Sequence, residues 1–192
     1  MRCAAVLVVL TATPALAQPL AAPSHDGPRW TAAVRVGAHH TDYVLSDDAP
    51  NGPGPAFALE GGLFVTPRWL VSLSLRASYL HDTYDDPFDP EVTYDQRDYE
   101  LDIGPRVELV VVDDRLRLGL GLGYTLLHAR VPELGSFRDD RRYVRLTITG
   151  ELVRWGPLAL ELLGDASVAQ FTDSDGHVEE VGLLVGLRWR AP

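Results

Sequence analysis

The chain has 192 residues, is 46% hydrophobic and 23% charged, carries a formal net charge of −10, and draws all its lysine-plus-arginine count from arginine. An acidic balance excludes nucleic acid as a partner, because phosphate binding wants a basic surface. No apolar run reaches the 18 residues needed to cross a bilayer as a helix, and the length suits one domain.

Met1-Arg2, the apolar run CAAVLVVL and the small-residue site Ala15-Leu16-Ala17 together predict a secretory signal peptide over 1–17. Removing it takes Arg2 away and moves the net charge from −10 to −11. It also removes Cys3, the single cysteine, so no disulfide is expected. Residues 18–29 are expected to form an N-terminal periplasmic segment, and 30–192 one β-domain.

From residue 30 onward the period is two, the period of a strand with unlike faces. The first segment, 30–43, sets Trp30, Ala32, Val34, Val36 and Ala38 against Thr31, Arg35, Gly37 and His39. In the second, 56–65, Phe57, Leu59, Leu63 and Val65 oppose Ala58, Glu60 and Gly62. The third, 69–81, alternates Trp69, Val71, Leu73, Leu75, Ala77 and Tyr79 with Ser72, Ser74, Arg76 and Ser78. In the fourth, 98–111, Tyr99, Leu101, Ile103, Val107 and Leu109 oppose Glu100, Asp102, Gly104, Arg106 and Glu108. The fifth, RLRLGLGLGYTLL over 115–127, has leucine at nearly every second position, with Arg117, Gly119, Gly121, Gly123 and Thr125 between. Segments 142–154, 158–171 and 178–190 continue the alternation, with Arg145, Glu151, Glu161, Asp165, Glu180, Arg188 and Arg190 on the polar parity. The connections alternate as well. Tight turns rich in turn formers follow segments two, four and six, and longer polar loops are expected near 44–55, 82–97, 129–141 and 172–177.

An even number of antiparallel strands with short turns at one rim and long loops at the other predicts an all-β, eight-stranded antiparallel up-and-down transmembrane β-barrel. The rival is a soluble barrel of the same period with the apolar face inward. That rival would overfill a lumen that side chains only just fill at eight strands. The aromatic residues also sort by height. Trp30, Trp69, Trp155 and Trp189 fall at the short-turn ends and Tyr43, Tyr79, Tyr99 and Tyr143 at the long-loop ends, as two interfacial girdles would require, although Trp155 is off the apolar parity. The leucines of the fifth segment are therefore expected to face lipid, with the glycines between them leaving room for long side chains from across the lumen.

The C-terminal stretch Val185-Gly186-Leu187-Arg188-Trp189-Arg190 resembles the β-signal of bacterial outer-membrane proteins, and the whole mature chain resembles the small OmpA-type and OmpX-type barrels. The resemblance implies residence in the bacterial outer membrane with both termini periplasmic. It also implies contact with outer-membrane lipid and lipopolysaccharide, insertion by the barrel assembly machinery, and a monomer.

On the polar parity, Arg35, Arg76, Arg106, Arg117, Arg145, Arg188 and Arg190 meet Glu60, Glu100, Asp102, Glu108, Glu151, Glu161, Asp165 and Glu180. Guanidinium forks match carboxylates, and unpaired charge in a narrow lumen is costly, so a charge-paired plug is expected in preference to an ion path. Pro105, mid-strand in a closed sheet, calls for a β-bulge at Gly104-Pro105. His40, His81 and His128 lie on the lipid parity near the loop side. None of them has the serine two residues on that a lipid A deacylase would need, and neither a metal site nor a cofactor is expected. The loop 82–97 is dense in acids and carries Tyr84, Asp85, Asp86, Phe88, Asp89 and Tyr94, an aromatic-plus-acid surface suited to an extracellular partner. The role expected is structural or surface interaction without catalysis, with a narrow channel and a lipid-modifying enzyme as alternatives.

Overall fold

The structure is a computed structural model that describes residues 29–43, 52–85, 89, 91–112, 115–132, 135–171 and 176–191. The expected signal peptide and nearly all of the segment 18–29 lie outside these residues. Eight strands run in chain order: β1 Arg29–Tyr43, β2 Gly52–Thr66, β3 Trp69–Asp85, β4 Thr93–Val112, β5 Leu116–Val131, β6 Gly135–Trp155, β7 Leu158–Phe171 and β8 His177–Arg190. Each pairs antiparallel with its neighbour in sequence, and β1 pairs with β8, which closes the barrel.

The faces are inverted relative to a water-soluble protein. Along β5, Leu118, Leu120, Leu122 and Leu126 are 44–53% exposed on the outside, while Arg117 is 1% exposed inside. A belt of this kind recurs on every strand, with Val34, Leu73, Ile103, Ile148, Leu162 and Leu183 all outward. So much contiguous apolar surface is stable only against another apolar phase, and a closed barrel leaves no unpaired backbone edge in that phase.

Three register shifts interrupt the ladders, at Phe64/Thr66, Val110/Val112 and Glu151/Val153, each beside a tight turn. A bulge adds one residue and so exchanges the faces beyond it. Leu152 and Val153 are therefore both exposed, and Trp155 stands outward at 56% exposure with Trp30, Trp69 and Trp189 despite its sequence parity. The turns are closed locally. Thr66 Oγ1 accepts from the Arg68 and Trp69 amides at 3.3 and 3.1 Å, and Gly156 supplies a positive φ of 59°.

Several expectations are corrected. No bulge forms at Gly104-Pro105. The β3–β4 register runs straight through Leu73↔Pro105, and β4–β5 keeps its register between Ile103↔Tyr124 and Arg106↔Gly121 while the two rungs between drop out. The sheet accommodates the missing proline N–H by omitting rungs without adding a residue. Tyr143 belongs to no girdle, because it lies on the lumen parity and is 3% exposed. Its ring and hydroxyl occupy the space where side chains on Gly104 and Gly123 would stand, 2.7–2.8 Å from the Cβ positions of both. Gly123 therefore makes room for the neighbouring strand and Gly104 for the next but one, and neither for a strand across the barrel. The loops near 82–97 and 129–141 are in large part ladder, since β3 and β4 pair out to Asp85↔Thr93 and β5 and β6 to Val131↔Gly135.

Candidate functional site: a charge-packed lumen and a raised rim

The lumen face of each strand sends long polar side chains toward one axis, where they sort into layers. Nearest the tight turns, Glu60, Glu108 and Glu161 meet Arg35, Arg106, Arg117 and Arg188. Glu161 accepts from Arg35 at 3.1 Å, Arg117 at 2.6 Å and Arg188 at 2.9 Å. Glu60 binds Arg35 at 2.7 Å, Arg188 at 2.9 Å and also Arg106. Glu108 takes Arg106 and Arg117, both at 2.8 Å. Each carboxylate thus serves several guanidinium groups through the lone pairs of its two oxygens, and each planar fork of donors spans two carboxylates.

A second layer lies toward the long-loop side. Arg76 contacts Asp102 at 2.9 Å, Asp165 at 3.0 Å and Glu180, while Arg145 reaches Asp102 at 2.6 Å and Glu180 at 3.1 Å. Thr125 and Ser167 hydroxyls donate to Asp102 and Glu180 at 2.6 and 2.9 Å. Leu163 and Leu184 are buried between the layers, and a cavity of about 30 Å³ is lined from both sides by Arg35, Arg76, Arg106, Arg145 and Asp165. That volume suits a water-sized occupant.

Above both, Arg141 pairs with Glu100 at 3.2 Å and lies 4.5 Å over the Phe171 ring. Arg141 is fully buried and is absent from the charge set read from the sequence, because the sixth segment begins at 142. Its signal was available in the odd parity that it shares with Arg145. Asp98, also buried, is the first residue of the fourth segment and shares the even parity of Glu100 and Asp102, yet is likewise absent from the charge set. In the other direction, Glu151 and Arg190 stand at the tight-turn rim, joined at 3.1 Å with Arg154 alongside Glu151 at 2.8 Å.

The candidate contact surface lies at the other end. Strands β3 to β6 pair beyond the point where their outer neighbours stop. The topmost β2–β3 rung is Ala56↔Ser78 and the topmost β6–β7 rung is Arg141↔Phe171, whereas β4–β5 continues to Arg97↔Arg130. A four-stranded sheet thus rises above the rest of the barrel. Tyr84 pairs with Tyr94 within it, and Asp85 with Thr93. Asp89 caps the turn, its carbonyl accepting from the Val92 amide at 2.9 Å, while Asp86 and Phe88 lie outside the described residues. On the raised sheet Asp95 binds His81 Nε2 at 2.6 Å and Arg97 at 2.9 Å. The hydrogen bond from Arg97, reinforced by that from His81, holds the Asp95 carboxyl below the ordinary aspartate range. No group of three metal-ligating side chains occurs among the described residues.

No protein-family model and no curated protein matches the sequence. Solved structures do match in shape. Ail, the attachment invasion locus protein of Yersinia pestis, in complex with the heparin analogue sucrose octasulfate, superposes with a TM-score of 0.55 at 12% identity over 83% of this chain and 99% of its own. Neisserial surface protein A gives 0.55 at 11% over 85% and 99%, and OprG of Pseudomonas aeruginosa 0.50 at 9% over 84% and 95%. Inverted faces, eight strands closed in chain order and these likenesses give this chain the fold of the small eight-stranded outer-membrane β-barrels.

Proposed function

We propose that this protein is a surface-interaction protein of the bacterial outer membrane, in which the barrel is an anchor with a charge-plugged lumen and the parts above the membrane do the binding. The observation that carries this reading is the pairing of the buried charges. Arg35, Arg76, Arg106, Arg117, Arg141, Arg145 and Arg188 all have carboxylate partners within the lumen. A solute would have to break pairs whose separation leaves charge uncompensated in a low-dielectric interior, so transport through this lumen is disfavoured. What remains accessible among the described residues is the raised sheet, and such rims commonly carry function on rigid scaffolds. The attachment role in the name of Ail lends support at the level of the shared fold. In this reading both termini are periplasmic, the barrel assembly machinery inserts the chain as a monomer, lipid and lipopolysaccharide surround it, an extracellular partner meets the raised sheet, and no catalysis is involved. The test is single-channel recording with purified protein in planar bilayers. A quiet membrane containing folded barrels is expected, and stable conductance steps would replace the plug with a narrow channel.

A further inference from the structure

Outward-facing side chains at the top of the apolar belt form two register rows across β3 to β6. The lower row is Ala77↔Leu101↔Leu126↔Asp140 and the upper is Tyr79↔Tyr99↔His128↔Arg138. Ala77 is the small member of the lower row, and a groove of about 630 Å³ opens over Ala77, Leu101 and Leu126, bounded above by Tyr99, His128 and Arg138. Tyr79 and Tyr99 stack at 5.1 Å and Tyr99 meets His128 at 6.5 Å, which makes an aromatic shelf at the groove's upper end. Such amphipathic rings favour the level where hydrocarbon gives way to headgroups.

An independent feature sits at the same height. At and above the upper row, the outer face of β5 and β6 carries Arg130 and Arg138, diagonal neighbours across the Arg130↔Ser136 and His128↔Arg138 rungs, with Asp140 below them and Asp139 turned to Arg141, although the chain as a whole has a net charge of −10. Neither of these arginines is in an ion pair among the described residues, in contrast to the saturated arginines of the lumen. An apolar groove that ends beneath uncompensated guanidinium groups matches one chemistry, an acyl chain continuous with a phosphorylated headgroup. Guanidinium binds phosphate oxygens with charge-assisted, bidentate hydrogen bonds.

We propose that this groove is a specific site for a phosphorylated membrane lipid, with an acyl chain over Ala77, Leu101 and Leu126 and the phosphate held by Arg130 and Arg138. The proposal rests on the membrane reading above, and the two fail separately: a chain that does not insert gives no folded barrel to assay. The experiment uses the full chain folded in phosphatidylcholine nanodiscs doped with phosphatidic acid. Folding is checked by heat-dependent gel mobility, and lipids retained after mild detergent extraction are counted by native mass spectrometry. Retention of phosphatidic acid over phosphatidylcholine is expected, falling about 10- to 30-fold in Arg130→Gln/Arg138→Gln. Ala77→Phe, which fills the groove, should lower retention of both lipids, and Arg68→Gln at the opposite rim should change nothing. Both arginine positions are exposed, so the double variant stays informative even where Ala77→Phe folds poorly. Unchanged retention in the double variant, an equal fall in Arg68→Gln, or displacement of phosphatidic acid by inorganic phosphate would each overturn the site.

Discussion

Glu161→Gln is the sharpest probe of the lumen. The substitution keeps side-chain volume, so it opens no cavity and isolates charge. Glu161 is fully buried and accepts from Arg35, Arg117 and Arg188 at 3.1, 2.6 and 2.9 Å. In its layer, four guanidinium groups face three carboxylates, and the variant leaves four facing two. Its amide would also turn N–H donors toward guanidinium donors, which cannot pair with them. Removing one partner from a buried ion pair costs about 3–5 kcal/mol, and with three partners affected at once the upper end is expected. Adding Arg188→Gln restores the original one-cation excess, so the double variant should be more stable than the sum of single costs implies, by about 0.5–3 kcal/mol. The measurement is a urea titration of folding into phosphatidylcholine vesicles, read by heat-dependent gel mobility. A single-variant loss under about 1 kcal/mol, or strict additivity in the double, would refute the claim that these charges hold one another.

Further outcomes follow from the same geometry. Leu120→Arg, on the lipid belt, should destabilise folding in bilayers by about 2–4 kcal/mol, and tolerance of arginine there would overturn the assignment of the outer face. Gly121→Ala should be nearly neutral because its Cβ would find only ordinary contacts at 3.7–3.8 Å, whereas Gly123→Ala would meet the Ile103 carbonyl at 2.2 Å and should fold measurably worse in the same titration. Asp95 has a folded-state pKa below its ordinary value, so its contribution to ordering the raised sheet is present above the ordinary range and lost as pH falls through the folded value. A carboxyl NMR titration should show its midpoint move up in Arg97→Gln, and an unmoved midpoint would remove Arg97 as the cause. Replacing residues 84–95 with a short Gly-Ser turn should leave insertion intact and abolish binding to whole cells, and retained binding would put the contact surface elsewhere.

The period of two in RLRLGLGLGYTLL, the alternation of short and long connections and the sorting of tryptophans toward one rim were enough to determine eight strands and which face meets lipid. These signals are local, since a strand's faces follow from parity and a girdle from position along one strand. Parity also assigned the lumen charges, with Arg141 lost only because strand ends are blurred where both faces turn polar. What sequence could not determine depends on register between strands. Parity places Arg35 and Glu161 in the same lumen, but only the closure of β1 against β8 brings them to 3.1 Å. The same holds for the bulge at Glu151/Val153 that turns Trp155 outward, for the rungs dropped at Pro105, and for Tyr143 filling the space over Gly104 and Gly123. The raised sheet and the lipid groove are likewise properties of rows that cross four strands. Hydrogen-bond register couples residues far apart in the chain, and no single segment carries that information.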